Sequence, residues 1–153
     1  MSRARQSQFI PASPDGVFTS EFPARDRAVR IVAICAVITT DALSNGLIPA
    51  LKVTDGGGNI ILWLVGSPLI PASDNFVTFS TVPTNYTVLA GAVPILVDSA
   101  VQVIPLPPDL WIDPQSRIVI EALKAIAADE ISSVNWTFEA AAEDLRLNIP
   151  GAQ

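Results

Sequence analysis

The sequence contains no histidine, one cysteine and only two lysines among its 153 residues. Without histidine, neither a Ser-His-Asp triad nor a Cys-His pair is available for nucleophilic catalysis. The same shortage excludes the usual zinc sites, whose ligands come from those two residue types. Cys35 has no partner for an intramolecular disulfide, and because it lies in the apolar run 31–38 we predict that it is a small buried core thiol.

Charged residues are also scarce, at 16% of the chain, whereas they make up about a quarter of an ordinary globular protein. Nine Lys and Arg against 15 Asp and Glu give a formal net charge of −6. This balance argues against nucleic acid as a partner, because phosphate neutralisation requires clustered cations. A mean hydropathy of +0.44 excludes disorder of the whole chain. We therefore expect surface beyond the domain core to be buried against other subunits.

No stretch predicts a membrane span or a signal peptide. The longest apolar stretch, 88–108, contains Asp98 and four prolines, and this spacing excludes a membrane helix. Two arginines lie near the N-terminus, but Pro11 and Pro14 interrupt any apolar region that follows them. We therefore expect a soluble protein with no membrane partner.

Residues 1–27 differ from the rest of the chain and predict an extended N-terminal arm. They contain three prolines, four arginines and three isolated phenylalanines, in a pattern that is typical of neither a strand nor a helix. A frayed terminus is the simple interpretation. The alternative is an arm whose apolar side chains anchor it to a partner, and the candidate anchors are Phe9, Ile10, Val17, Phe18 and Phe22.

From residue 28 onward, short β-branched runs separated by turn residues predict an all-β sandwich over residues 28–139. The predicted strands are 29–40, 48–54, 60–65, 76–82, 86–89, 100–106, 117–123 and 131–139. The Gly-rich sequence 55–59 predicts a hairpin loop. Residues 140–153 are expected to form a C-terminal tail, and 139–147 has the pattern of a short helix that Pro150 would stop. No linker divides the chain into two domains.

Few side chains are candidates for catalysis or metal binding. Asp109 and Asp113 are a carboxylate pair, as are the adjacent Asp129 and Glu130, and a glycosidase needs two carboxylates across a cleft. Because 153 residues with two tails leave little room for a deep cleft, we expect no enzymatic function. Asp55 with Asn59, and Asp41 with Asn45, could offer oxygen ligands to calcium. Asx turns explain the presence of these residues better. We expect no cofactor.

The three tryptophans are candidates for core or ligand contacts. Trp136 alternates with Val134 and Phe138, so these three side chains share one face and predict a core position. Trp111 lies in a proline-bounded loop and is the candidate for a ligand or interface contact. Exposed aromatic rings of this kind serve as stacking platforms in sugar-binding modules, whereas in many sandwiches they fill the core.

Two segments carry a resemblance to a known family. They are the stretch 106–120 (LPPDLWIDPQSRIVI) and the stretch 128–134 (ADEISSV). This order of a Pro-rich loop with an aromatic, an R-I-x-I strand and an Asp-containing turn resembles a small jelly-roll protein encoded among the structural genes of tailed bacteriophages. The strand start 29–31, the turn 39–41 and the hairpin 51–56 are similar too, so that the resemblance covers about residues 28 to 139.

The resemblance implies a jelly-roll-like antiparallel β-sandwich that acts as a capsid cement (decoration) protein. Such a protein is a non-enzymatic virion component, assembled in the host cytoplasm and placed on the capsid surface. The implied partner is the major capsid protein, and the implied oligomer is a homotrimer whose arms grip neighbouring capsid subunits. Two alternatives stay open: a head–tail connector, neck or fibre component of the virion, and a jelly-roll glycan-binding module.

Overall fold

A computed structural model describes residues 4–11, 18–81 and 101–142, and every regular element in these ranges is a β-strand. The strands are β1 (Arg5–Ile10), β2 (Ser20–Glu21), β3 (Val29–Thr39), β4 (Ile48–Thr54), β5 (Ile60–Val65), β6 (Asp74–Ser80), β7 (Val101–Pro105), β8 (Trp111–Ile112), β9 (Arg117–Leu123) and β10 (Glu130–Ala140). The described ranges hold no helix of the length and hydropathy that a membrane crossing requires.

The strands form two sheets packed face to face. The large sheet has the order β1-β10-β3-β6-β7, with β8 paired to the start of β3, and the small sheet has the order β2-β9-β4-β5. All pairs are antiparallel except β6 with β7. Parallel neighbours need a crossover connection, and residues 81–100 separate these two strands in the sequence. The predicted all-β sandwich is thus confirmed, with one parallel pair that the sequence did not predict.

The core lies between the sheets and centres on Trp136, which is fully buried as its alternation pattern predicted. Phe22 packs edge-on against Trp136 and Phe138, with ring centroids 5.3 and 5.0 Å apart. Such T-shaped pairs add to the stabilisation from buried apolar area. The other large side chains that are fully buried come from both sheets and include Phe79, Ile34, Ile38, Leu47, Leu51, Ile118, Ile120 and Ile131.

The strand β3 shows why the position of Cys35 was predicted incorrectly. Ile34, Ala36 and Ile38 point into the core, whereas Cys35 lies on the outer face of the large sheet and is exposed. The prediction of a buried core thiol is therefore wrong. Side chains alternate between faces along a strand, but the run 31–38 is apolar on both faces, so the sequence did not indicate which face is outside.

The first 27 residues contribute a strand to each sheet. Strand β1 pairs with β10 in the large sheet, β2 pairs with β9 in the small sheet, and Phe22 donates its N–H to the carbonyl oxygen of Ile118 at 2.8 Å. The interpretation of this segment as neither strand nor helix is wrong for these residues. The outer strand β1 is held by backbone pairing and is mostly polar and exposed, so it shows no alternation that a sequence pattern would reveal.

Most of the other predicted strands are present. Five of them, 29–40, 48–54, 60–65, 117–123 and 131–139, agree with observed strands to within one residue at each end, whereas 76–82 and 100–106 are displaced or shortened. The predicted strand 86–89 lies outside the described residues. So does most of the predicted helix 139–147, whose first two residues belong to β10.

A matched pair of substitutions tests the core position of Phe22. Phe22→Ala should lower the free energy of unfolding by about 3–5 kcal/mol, because it removes a ring packed against Trp136 and leaves a cavity. Phe9→Ala, in the same N-terminal segment, should change it by no more than about 0.5 kcal/mol because Phe9 is exposed. Urea denaturation measures both values, and equal losses for the two variants would contradict this account of the core.

Candidate interaction surface

The predicted anchors of the N-terminal segment fall into two groups. Phe22 is buried in the core, and Ile10 and Phe18 are partly buried against it. Phe9 is 64% exposed on the outer face of the large sheet. Val17 lies outside the described residues. Three of the five candidates therefore contact the protein's own core, and Phe9 is the described member that is open to a partner.

The outer face of the large sheet carries apolar side chains at several points, with polar ones between them. Phe9, Asn135 and Cys35 occupy neighbouring register positions across three adjacent strands. On the far side of β3, Phe76 lies opposite Val101, and both are exposed. Adjacent exposed apolar side chains, such as Phe76 and Val101, are typical of protein-interaction surfaces, whereas single scattered ones are common on any surface.

One end of the same face holds a charged cluster around Arg30. Its guanidinium donates to Glu139 Oε2 at 2.7 Å and to the carbonyl oxygen of Pro108 at 2.8 Å, and it lies 3.5 Å from Asp109 Oδ1. Arg5 adds a second cation 3.8 Å from Glu139. Because Arg30 belongs to β3 and Pro108 to the proline-rich loop, their hydrogen bond holds that loop against the start of β3.

Trp111, the predicted ligand or interface contact, belongs to this cluster. It lies opposite Arg30 in the pairing of β8 with β3, and the Arg30 guanidinium lies over its ring, 6.0 Å from the centroid. A cation at this distance is attracted by the ring quadrupole. Trp111 is 36% exposed. Arg30 therefore covers part of the ring that a sugar would need for stacking, while the exposed part remains available to a partner.

The outer face of the small sheet is apolar along its edge strand β5. Ile61, Trp63 and Val65 point outward and are exposed by 53, 47 and 44%. Lys52, which lies opposite Trp63 in the pairing of β4 with β5, forms a 2.8 Å ion pair with Glu121. Sequence analysis predicted β5 as a strand but missed its outer side chains as a surface. The strand is apolar at every position, so its pattern did not separate core from surface.

The candidate catalytic carboxylates have structural partners. Asp113 Oδ1 accepts hydrogen bonds from the backbone N–H groups of Gln115 and Ser116, both at 2.9 Å, which is the geometry of an Asx turn. Asp129 is buried and accepts from the backbone N–H groups of Asp41 at 2.9 Å and Ile126 at 3.0 Å. These carboxylates hold turns in place, and Asp109 is ion-paired with Arg30.

The hairpin loop 55–59 has the same kind of internal bonding. Asp55 Oδ1 accepts from the backbone N–H groups of Gly57 and Asn59, and Asp55 Oδ2 accepts from the Asn59 side-chain amide at 3.0 Å. These bonds, with the Asn59 side chain as the main cause, hold the pKa of Asp55 below its ordinary value. Gly58 has a φ of +85°, which glycine adopts without strain. Within the described ranges, no group of three His, Cys, Asp or Glu side chains is arranged to hold a metal ion.

Two open grooves flank the segment that follows β2. One, of about 310 Å³, is lined by polar side chains of β1 and by residues 22–27; the other, of about 420 Å³, lies between residues 21–25 and the turn 114–117. Arg25 lines both grooves and donates hydrogen bonds to the carbonyl oxygens of Asp113 and Ser116 at 2.5 and 3.0 Å. The N-terminal segment is thereby fastened to the turn before β9.

An ion pair fastens the short strand β2 to β9. Arg117 donates from Nε and Nη2 to the two carboxylate oxygens of Glu21, at 2.8 and 2.7 Å, in the bidentate geometry that favours arginine. The hydrogen bonds from Arg117 hold the pKa of Glu21 below its ordinary value of 4.5. Both side chains are partly exposed, so solvent screens this pair and its contribution to stability is small.

The pKa of Glu21 gives a direct test of this pair. An NMR titration should place it below 4.5 in the wild-type protein, and Arg117→Gln should return it toward 4.5 by removing the donor. Because the folded-state pKa is lowered, the pair adds stability above pH 4.5 that is lost as the pH falls through the lowered value. An unchanged Glu21 pKa in Arg117→Gln would show that the pair does not form.

Comparison of this chain with protein-family models, with curated protein sequences and with solved structures gives no match. The function is therefore inferred from the described surfaces and from the motifs in the sequence. The outer faces of the two sheets are the features on which that inference depends.

Proposed function

We propose that this protein is a non-enzymatic structural component of a tailed-bacteriophage virion, which binds and stabilises the capsid shell as a cement protein. The observation that carries the proposal is the exposure of apolar side chains on the outer faces of both sheets, with Phe9 and Phe76 on one and Trp63 on the other. A soluble monomer gains nothing from exposing such faces, whereas a subunit buried in an assembly gains free energy from covering them.

The composition supports the same proposal. With 16% charged residues the chain has few side chains that solvate its surface, as expected for a part that is mostly enclosed by neighbours. The resemblance of 106–120 and 128–134 to jelly-roll virion proteins supplies the proposed setting: the capsid surface, with the major capsid protein as partner. It also supplies the proposed homo-oligomer, a trimer in that family.

The N-terminal segment has a defined place in this proposal. Strand β1 lies at the edge of the large sheet, and the side chain of Phe9 is exposed. The segment can therefore contact a shell subunit while it remains paired to β10. Removing residues 1–27 would also remove Phe22 from the core. A deletion would therefore confuse loss of binding with loss of folding, and point substitutions of exposed residues are the better test.

The position and copy number of the chain in purified particles test the proposal. We expect hundreds of copies on the icosahedral lattice, measured by quantitative mass spectrometry and located by cryo-electron microscopy. A few copies at the neck or tail would instead favour the connector or fibre alternative. Absence of the chain from particles would contradict the structural role and leave glycan binding through Trp111 as the next function to test.

Binding to shells that lack this chain gives a residue-level prediction. Phe9→Ser should weaken binding at least tenfold, because it removes an exposed ring from the proposed contact face. Leu43→Ser is the matched control, since Leu43 is an exposed apolar residue in the turn after β3. Co-sedimentation of purified protein with shells measures both affinities. Equal affinity of Phe9→Ser and the wild type would remove Phe9 from the interface.

A further inference from the structure

The loop 40–47, which joins β3 to β4, contains the one Asn-Gly pair of the sequence, at Asn45 and Gly46. In such a pair a nucleophile lies next to the asparagine amide, namely the backbone nitrogen of the glycine. Because glycine has no Cβ, the chain itself hinders little the approach of that nitrogen to the amide carbon. Whether the two groups react in the folded protein depends on how the loop holds them.

Neither Asn45 nor Gly46 is held by hydrogen bonds within the part of the chain that the structure describes. Asn45 is exposed, and its side-chain amide has no bonding partner there. The N–H of Gly46 donates to no described residue either. Apart from its chain neighbours, no atom lies within 4 Å of the position that a Cβ would take on Gly46. The amide and the glycine nitrogen therefore have the freedom and the space that ring closure requires.

Two other asparagines show the constraints that Asn45 lacks. Asn59 donates from its side chain to both carboxylate oxygens of Asp55, at 3.3 and 3.0 Å. Asn75 is fully buried, and its side chain accepts from the N–H of Ile70 and donates to the carbonyl oxygen of Ile70. Each of these two asparagines is also followed by a residue with a large side chain. Asn45 is therefore the most reactive of the three.

We propose that Asn45 is a site of spontaneous deamidation through a succinimide. The backbone nitrogen of Gly46 loses its proton and attacks Cγ of Asn45, so that a new C–N bond closes the ring. The bond from Cγ to Nδ2 then breaks, and the nitrogen leaves as ammonia with the proton that Gly46 lost. Water, the single co-reactant, adds to either ring carbonyl and opens the ring to aspartate or to isoaspartate.

The chain is anchored closely on both sides of this site. Ser44 donates from Oγ to the buried carboxylate of Asp129 at 3.1 Å, and from its N–H to the carbonyl oxygen of Asp41 at 3.0 Å. Leu47 is fully buried, and its carbonyl oxygen accepts from the N–H of Leu69 at 2.8 Å. Isoaspartate lengthens the main chain between these two anchors by one carbon atom. One anchor must therefore shift to accommodate it.

The anchor at Ser44 should be the one that shifts, because moving Leu47 would expose apolar surface of the core. Hydrogen exchange at the N–H of Ser44 should thus be faster in protein that contains isoaspartate. Asn45→Asp is the matched variant, since it has the charge of the product on an ordinary backbone, and it should exchange as the wild type does. This chemistry belongs to the chain itself, so it does not depend on binding to a capsid shell.

Incubation of the full-length protein in warm, mildly alkaline buffer tests the site. Trypsin cleaves after Arg30 and Lys52, and the peptide 31–52 contains no asparagine or glutamine besides Asn45. This peptide should gain the mass difference between an amide and a carboxylic acid, and an isoaspartate-specific methyltransferase should label it. Tandem mass spectrometry should show that Asn75 reacts at least about tenfold more slowly, because reaction there requires the buried site to open.

The variant Gly46→Ala gives a second test, because its methyl group hinders the attacking nitrogen while the open space around Gly46 accommodates that group. It should slow the mass gain of the peptide 31–52 several-fold. An unchanged peptide from the folded protein, when the urea-unfolded chain is modified at Asn45, would overturn the proposal. So would equal rates at Asn45 and Asn75. Those two wild-type rates decide the question if Gly46→Ala, at a φ of +78°, fails to fold.

Discussion

The pairing of β3 with β10 is the constraint on which the rest of the structure depends. They are the longest of the described strands, at 11 residues each, and they lie side by side in the large sheet. Strand β10 then holds β1, and β3 holds both β6 and β8. The inward side chains of this pair, with Trp136 at their centre, form the core-facing surface against which the small sheet packs. Phe22 of the N-terminal segment packs against Trp136 on that surface and so joins the segment to the core.

The same pair explains why the molecule has apolar residues outside as well as inside. Both faces of β3 are largely apolar, so that Ile34 and Ile38 fill the core while Val37 and Cys35 face outward. In the small sheet, strand β5 is likewise apolar on both of its faces. In an isolated domain such outer faces would be a liability, whereas in an assembly they are the means of association. Several carboxylates, by contrast, hold loops: Asp129, Asp113 and Asp55 each accept hydrogen bonds from turn backbone.

The sequence predicted well the strands that have turn residues at their ends, and poorly the strands that lack such local signals. Strands β4, β5 and β9 are bounded by Gly, Pro, Asn and Asp, and their local signals agree with their place in the fold. Strand β1 has no such signal, since it is held by hydrogen bonds to β10, a strand far along the chain. The place of Phe22 was missed for the same reason. The sequence around Phe22 consists of small and polar residues and has no hydrophobic periodicity. It therefore does not indicate that this ring packs in the core.

By itself the sequence determined the fold class, the main strands, the core position of Trp136 and the scarcity of groups for catalysis, because these follow from local periodicity and composition. Tertiary structure decided which apolar residues lie outside. Exposure of Cys35, Phe76 and Trp63 depends on which face of each strand meets the opposite sheet. The sequence of a strand that is apolar on both faces does not indicate which face is buried, because contacts between residues distant in the chain determine this.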